Sequence, residues 1–393
     1  MNASLDIASM RAGRKARVLA ELERRDIGAI VLFNPINIRY ASDARNMQVY
    51  GLHNPCRYLF LGADGHAVLF EFRNCEHLAQ GLATLDEVRP AQPWYFMAAG
   101  EAAADRAWRW ADEIAGLARR HAGPRTRIAV DRLDPPGAEA LAGHGFVWVD
   151  GQEVMERARV IKSPLEIAAM REAIAACEEG LRRMHAALRP GITEQRLWSV
   201  LHQANAELGG EWIETRLLTS GPRTNPWYQE CGQRVIEAGD LVSFDTDLVG
   251  RHGYAVDLSR SWLAGDRPAS NEQRRLFGLA HEQVHRNIEA IRPGRSFREI
   301  AERSFRMPEP LVPRMNRAIA HGIGLCNEYP LIINKEFFGG AYDGVVEPGM
   351  VLCVESYVGE PGGREGVKLE EQVVVTETGV EKLSEFPFDE RLL

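Results

Sequence analysis

Leu241–Leu263, LVSFDTDLVGRHGYAVDLSRSWL, is the stretch on which the fold turns. Two apolar runs flank the glycine-containing Gly250–Gly253, so the segment reads as an antiparallel hairpin. Paired residues in such a hairpin keep a constant index sum. A turn centred on His252 therefore sets Asp247 opposite Asp257, and strand alternation puts Asp245 on the same face as Asp247. A one-residue bulge would shift the partner yet keep the acids close. Three carboxylates then crowd one face, with Phe244, Leu248, Val256 and Leu258 on the other.

A second hairpin lies in Met350–Thr376, MVLCVESYVGEPGGREGVKLEEQVVVT, turning through the glycine-rich Gly359–Gly366. Its centre places Glu355 directly opposite Glu370. Both strands are rich in Val and Leu and read as interior, where unpaired like charges are costly. Nearby cations are scarce: Arg260 alternates to the far face, and only Lys368 is well placed. Bound divalent metal resolves the conflict, because paired carboxylate oxygens are the ligands such ions use. Solvent-facing acids on amphipathic strands would explain one such pair, but two acidic hairpins in one chain favour the metal.

His321 sits in AIAHGIGLCNEYP, followed by Gly322 and Gly324, which allow close backbone approach as at a binding site. A histidine in an apolar stretch is commonly a packed core residue. Beside four or five carboxylates, an imidazole instead favours Fe, Mn, Co or Zn over Ca.

Working outward, Ser163-Pro164-Leu165-Glu166 starts a helix with a capping pair, and Met170, Ile174, Cys177, Leu181, Met184 and Leu188 mark its apolar face. It exits at LRPG (Leu188–Gly191). The phrase returns as IRPG (Ile291–Gly294) after a second helix that begins at Ser270 with Gln273 in the capping position. Phe277, Val284 and Ile291 stand 103 residues beyond Ile174, Leu181 and Leu188, which indicates an internal duplication. Roughly the first 150 residues alternate helix-like stretches (Ala12–Arg25, Glu101–Arg120) with strand-like ones (Ala29–Phe33, His66–Phe72, Arg127–Asp131, Phe146–Asp150), as a small α/β domain does.

Composition sets the outer limits. At 393 residues the chain exceeds one ordinary core. A formal charge of -8 and the lack of a basic cluster argue against a nucleic-acid partner. No apolar run is long enough to span a bilayer, and the Arg-containing start has no signal-peptide core. The six scattered cysteines form no C-x-x-C pair and read as reduced. The expectation is a cytoplasmic protein with neither nucleic acid nor membrane as partner.

These residues resemble the pita-bread metalloenzymes, the family of creatinase, prolidase and methionine aminopeptidase. The matched contexts are GDLVSFD, GYAVDLSRSW, HGIGL, CVES and GVKLEEQ. The resemblance implies an α/β N-terminal domain (1–158) and an α+β pita-bread catalytic domain (159–393) with pseudo-twofold duplication. It also implies two divalent ions, bridged by Asp257 and Glu370, with Asp245 on one ion and His321 and Glu355 on the other. A homodimer and a small-molecule substrate are implied as well.

Within the family the chain is most similar to the dimethylsulfoniopropionate lyase branch. RNMQVYGLHNP (Arg45–Pro55), ETRLLTSGPRTNPWYQECG (Glu214–Gly232), FDTDLVG and CNEYP carry that likeness, as does Asp247, an extra acid that joins the metal ligands. The histidines with which family peptidases handle their substrates are missing: Trp227 stands near the first and Asn327-Glu328-Tyr329-Pro330 at the second. The chain departs from the lyases too. Asn327 stands where they carry the aspartate base, and Asn316 where they carry a tyrosine. An amide has no lone pair basic enough to take a proton from carbon.

The leading expectation is a dinuclear-metal enzyme that cleaves a small carboxylate-bearing substrate by C–S elimination, or a close relative with altered chemistry. Trp227, Tyr50 and Tyr58 are candidates for an aromatic box around a cationic end. The alternatives are an Xaa-Pro-type metallopeptidase or amidohydrolase, and a non-catalytic pita-bread binding module. The module would have lost its ligands, and all five that the family carries are present, which weighs against it.

Overall fold

The computed structural model describes residues 5–393. They form two compact units that divide between Arg159 and Val160.

In the N-terminal unit six strands, β1 (Ala29–Leu32), β2 (Tyr58–Gly62), β3 (Ala67–Glu71), β4 (Glu87–Pro90), β5 (Arg127–Val130) and β6 (Val147–Asp150), form one sheet in the order β4-β3-β2-β1-β5-β6. β2 pairs antiparallel with both neighbours, while β5 runs parallel to β1 and β6. Helix Ala103–His121 lays Ala107, Trp110, Ala111, Ile114 and Leu117 against the sheet, where they meet Phe33, Phe60 and Phe70. The first helix starts earlier than the sequence suggests, at Ile7, because Asp6 caps it by accepting the Ser9 amide at 3.0 Å.

Tyr58 belongs to this core, which corrects the expectation of a ligand-facing ring. It is fully buried, stacked on Phe70 at 4.5 Å and 5.2 Å from Phe33. Its hydroxyl accepts the Gln92 amide at 3.2 Å. No face is left for a substrate.

The C-terminal unit displays the duplication in its hydrogen bonds. Helices Pro164–Ala187 and Asn271–Ala290 both begin with capping boxes, Ser163 with Glu166 and Ser270 with Gln273. Each is followed by a shorter helix, Glu194–Glu207 or Phe297–Arg303, capped by Thr193 or Ser296. Gly191 and Gly294 turn the chain between them at φ +94° and +83°, which glycine adopts without steric cost. Their amides donate to Ile236 and Val346 at 2.9 and 2.8 Å. The repeat reaches further than the helices: VIEAGDLVSFD (Val235–Asp245) matches VVEPGMVLCVE (Val345–Glu355), so Asp245 and Glu355 occupy equivalent positions.

The strands of this unit are β7 (Trp212–Ile213), β8 (Leu218–Ser220), β9 (Leu241–Asp245), β10 (Leu248–Val249), β11 (Ala255–Val256), β12 (Ser259–Leu263), β13 (Ala318–Ile323), β14 (Asn327–Ile333), β15 (Val351–Gly359), β16 (Gly366–Val375) and β17 (Val380–Lys382). They make sheets β12-β9-β8, β11-β10-β7 and β14-β13-β15-β16-β17. Hydroxyls stitch β9 and β12 to β16. Ser243 and Ser261 lie 2.7 Å apart, Ser243 donates to Gly366 O at 3.1 Å, and Ser261 accepts the Lys368 amide at 3.1 Å. The two acidic hairpins are thereby held side by side. Among the described residues no helix is long and apolar enough to cross a membrane.

Candidate metal centre

The first hairpin keeps the register read from its turn. Ser259 faces Asp245 and Val256 faces Leu248, all on one index sum, although the ladder is split between β9–β12 and β10–β11. The split falls at Thr246 and Asp247. Asp247 has φ +37°, on the left-handed side that aspartate tolerates better than most residues. The Thr246 hydroxyl takes over from the missing ladder bonds, accepting the Leu258 amide at 2.9 Å and donating to Val256 O at 3.0 Å. Simple alternation is therefore not what brings Asp245 and Asp247 together; the kink does. One carboxylate oxygen from each of Asp245, Asp247 and Asp257 lies within 4.8 Å of the others.

In the second hairpin Glu355 pairs with Glu370 across β15 and β16, the partners read from its turn. Across β13 and β15, His321 pairs with Cys353. Asp257, His321, Cys353 and Glu370 form a second group within 4.8 Å, so Asp257 is common to both. His321 Nε2 lies 3.4 Å from Glu370 Oε1 and 3.6 Å from Asp257 Oδ2. Its Nδ1 is 3.1 Å from Gly322 O, which fixes the ring and turns Nε2 toward the carboxylates. Cys353 was not singled out in the sequence. Its pairing with His321 on β15, two residues before Glu355, is the signal that would have found it.

Glu355 joins neither group. Its carboxylate is held by the Lys368 ammonium at 3.0 Å and by the Asn316 amide. Lys368 is fully buried and also reaches Glu370 at 2.6 Å and Asp245 at 3.3 Å. Ser259 Oγ lies 2.7 Å from Asp245 Oδ1 and 2.8 Å from Glu370 Oε2, and Thr215 donates to Asp247 at 2.6 Å. Arg260 does point away, to Glu371 at 2.9 Å.

Charge is unbalanced here. Burial, reinforced by the Asp245 charge, pushes Asp247 up to about 7, and the same causes push Asp257 well above the usual carboxylate range. Burial also raises Glu355, against the pull of Lys368. Glu370 goes down, because Lys368 and His321 outweigh its burial. His321 rises to about 9, its burial outweighed by Glu370 and Glu355. Two buried oxygens, Asp257 Oδ1 and Glu370 Oε1, have no hydrogen-bond partner. Orphaned anionic oxygens on two residues, an imidazole nitrogen facing them and a surplus of carboxylate form a donor set that fits divalent cations.

Glu355, Asn316, Trp227, Tyr228, Arg314 and Arg317 line a cavity of about 660 Å³. Trp227 stacks on Tyr357 at 5.9 Å, and the Tyr228 hydroxyl donates to Asn316 Oδ1 at 3.5 Å. Asn327 is not in that wall. It is exposed at the start of β14, on the side that Leu331 and Ile333, which do line the cavity, also face; Glu328 and Ile332 are buried on the other. Glu328 meets Lys162 at 2.5 Å. Tyr50 lines a cavity of the N-terminal unit.

Gly322 and Gly324 do permit close approach, but of the chain to itself. A Cβ on Gly322 would meet Tyr329 O at 2.3 Å, and one on Gly324 would meet the Glu328 carboxylate at 2.7 Å. They serve the irregular β13–β14 pairing, which shifts register between His321 and Gly322.

The sequence profile of metallopeptidase family M24 matches residues 168–377. The chain is 41% identical to the dimethylsulfoniopropionate lyase DddP of Roseovarius nubinhibens, covering 99% of this chain and 88% of that one. It is 40% identical to the protein of that name from Roseobacter denitrificans, with the same coverage. The fold is similar to that of the Xaa-Pro dipeptidase from Bacillus anthracis, with TM-score 0.78 and 21% identity over 96% of this chain and 99% of that one. Family members bind divalent metal ions, and the clustered acids and imidazole described above are the groups that would hold them here. With the pita-bread architecture, the duplicated hairpins and these relatives in agreement, the chain belongs to metallopeptidase family M24.

Proposed function

We propose that this protein is a metal-dependent lyase that cleaves dimethylsulfoniopropionate, or a close sulfonium carboxylate, by C–S elimination. The observation that carries this reading is near-full-length likeness to two lyases of that name, combined with the convergence of Asp247 on Asp245 and Asp257. Asp245, Asp247, Asp257, His321, Glu355 and Glu370 would hold two ions of Fe, Mn, Zn or Co. The protein is proposed to work in the cytoplasm, as a homodimer.

In the reaction a base removes a proton from the carbon beside the carboxylate. The electron pair forms the C=C bond, the C–S bond breaks, and its electrons leave on sulfur, giving acrylate and dimethyl sulfide. Divalent ions bound here would supply a Lewis acid for the substrate carboxylate. The chain's own part is orientation. Trp227 and Tyr228 offer π faces to the sulfonium, and Arg314 and Arg317 offer charge to an oxyanion. Lys368 and Ser259 keep the acids in place.

Metal-loaded protein should release acrylate from dimethylsulfoniopropionate and leave Xaa-Pro dipeptides uncut, read by chromatography of both mixtures. Dipeptide hydrolysis with a kcat of about 1 per second or more, without acrylate, would replace this reading with the peptidase one.

A further inference from the structure

Arg73, Arg106 and Arg109 line a cavity of about 720 Å³ in the N-terminal unit, and no aspartate or glutamate lines it with them. In a chain of formal charge -8 such a grouping is not expected from composition. Arg14, Arg57 and Arg89 of the same unit each have a carboxylate partner, at 2.7, 2.8 and 2.5 Å. Arg106 donates to Ala98 O at 3.0 Å. The Arg73 and Arg109 guanidinium groups have no hydrogen-bond or ion-pair partner among the described residues.

The rest of the wall is suited to an aromatic ring. Tyr50 meets Phe72 edge-on at 6.4 Å, and its hydroxyl lies 3.4 Å from that of Tyr95. Both tyrosines and Phe72 line the cavity. Guanidinium forks grip planar or tetrahedral oxyanions through two parallel N–H donors, and aromatic walls cover the face of a flat ligand body. The volume is in the range of small-molecule sites.

We infer that this cavity of the N-terminal unit binds an organic anion with an aromatic body, an aryl carboxylate or aryl phosphate, through Arg73 and Arg109. The inference stands on this unit alone and does not depend on the reaction proposed for the C-terminal unit.

Calorimetric titration of the full, metal-loaded chain with benzoate and with phenyl phosphate tests it, with benzamide and inorganic phosphate as controls. At least one aryl anion should saturate one site per chain and bind about tenfold or more tighter than benzamide. The relative strength of the two anions tells carboxylate from phosphate. Arg73→Ala/Arg109→Ala should weaken binding about tenfold or more, and Arg73→Glu/Arg109→Glu should abolish it. Both arginines are exposed, so both variants should melt with the parent. Asp257→Ala should bind as the parent does. No saturation up to about 20 mM, equal binding of benzamide, inorganic phosphate matching phenyl phosphate, or insensitivity to the arginine pairs would each overturn the inference. So would loss of binding in Asp257→Ala, which would move the ligand to the acidic hairpins.

Discussion

Lys368 and Glu370 stand two residues apart on β16, on one face of the strand, and their charged ends meet at 2.6 Å. The ammonium also touches Asp245 and Glu355, so one buried cation serves carboxylates from both acidic hairpins. Lys368→Met keeps the volume and removes the charge. Stripped of metal, the variant should be less stable than the parent by about 3–5 kcal/mol, the cost of leaving a buried charge unpaired. Metal should recover much of that loss, so the melting temperature gained on adding metal should be larger in the variant than in the parent. Scanning fluorimetry with and without chelator measures both. An equal gain would show that Lys368 does not share the carboxylates with the ions.

Asp257 belongs to both ligand groups, whereas Asp247 belongs to one. Elemental analysis should therefore find on the order of two ions per chain in the parent, loss of most of both in Asp257→Ala, and a partial loss in Asp247→Ala; Glu370→Ala, at the bridging position that the family resemblance implies, should also lose most of both. Full metal content in Asp257→Ala would refute the shared position.

Ser259 Oγ sits between Asp245 and Glu370 without being a metal ligand of the usual kind. Ser259→Ala should weaken metal binding about 10- to 100-fold, the usual effect of removing a group that orients ligands. Competition against a chromogenic chelator reads this directly. Ser259→Thr keeps the hydroxyl and should recover part of the affinity.

Trp227 and Tyr58 were expected to act alike and are placed differently. Trp227→Ala should raise KM for a sulfonium substrate by up to about 30-fold with a smaller effect on kcat, since cation–π attraction is worth at most about 2 kcal/mol. Tyr58→Phe removes one buried hydrogen bond, about 1 kcal/mol of stability, and should leave KM unchanged. A raised KM in Tyr58→Phe would restore it to the substrate box.

Asn327 is exposed on the side of β14 that the cavity residues Leu331 and Ile333 share. An aspartate fits there without burial. If the proposed elimination is limited by a missing base, Asn327→Asp should raise acrylate release by a factor of about 100 or more, since a positioned base contributes about 100 to 10,000. Metal content should stay constant as the control. No gain, with or without Asn316→Tyr, would mean that proton removal is done by another group.

The registers of both hairpins were legible because turn position alone sets an index sum, and both sums held. The duplicated helices were legible because capping boxes are local. What escaped depends on torsion or on third partners. The positive φ of Asp247 breaks the strand that alternation assumed, and the Lys368 ammonium draws Glu355 out of the groups its pairing suggested. Gly322 and Gly324 looked like room for a ligand because sequence cannot tell which backbone approaches a glycine. Tyr58 sits in YLFLG, a short continuous apolar run of the kind that a strand buried on both faces shows, a signal that the cation–π potential of the ring outweighed.

Asp245 and Glu355 occupy matching places in the two repeats, and the two ligand groups divide unevenly between them. One is made by the first repeat alone, while the other takes Asp257 from the first and His321, Cys353 and Glu370 from the second. An ion in that second group would therefore be a clasp between the repeats. Amide exchange of β9, β12, β15 and β16 should quicken together when the clasp is withdrawn, as one cooperative opening, because the ligands of that ion would come from both repeats.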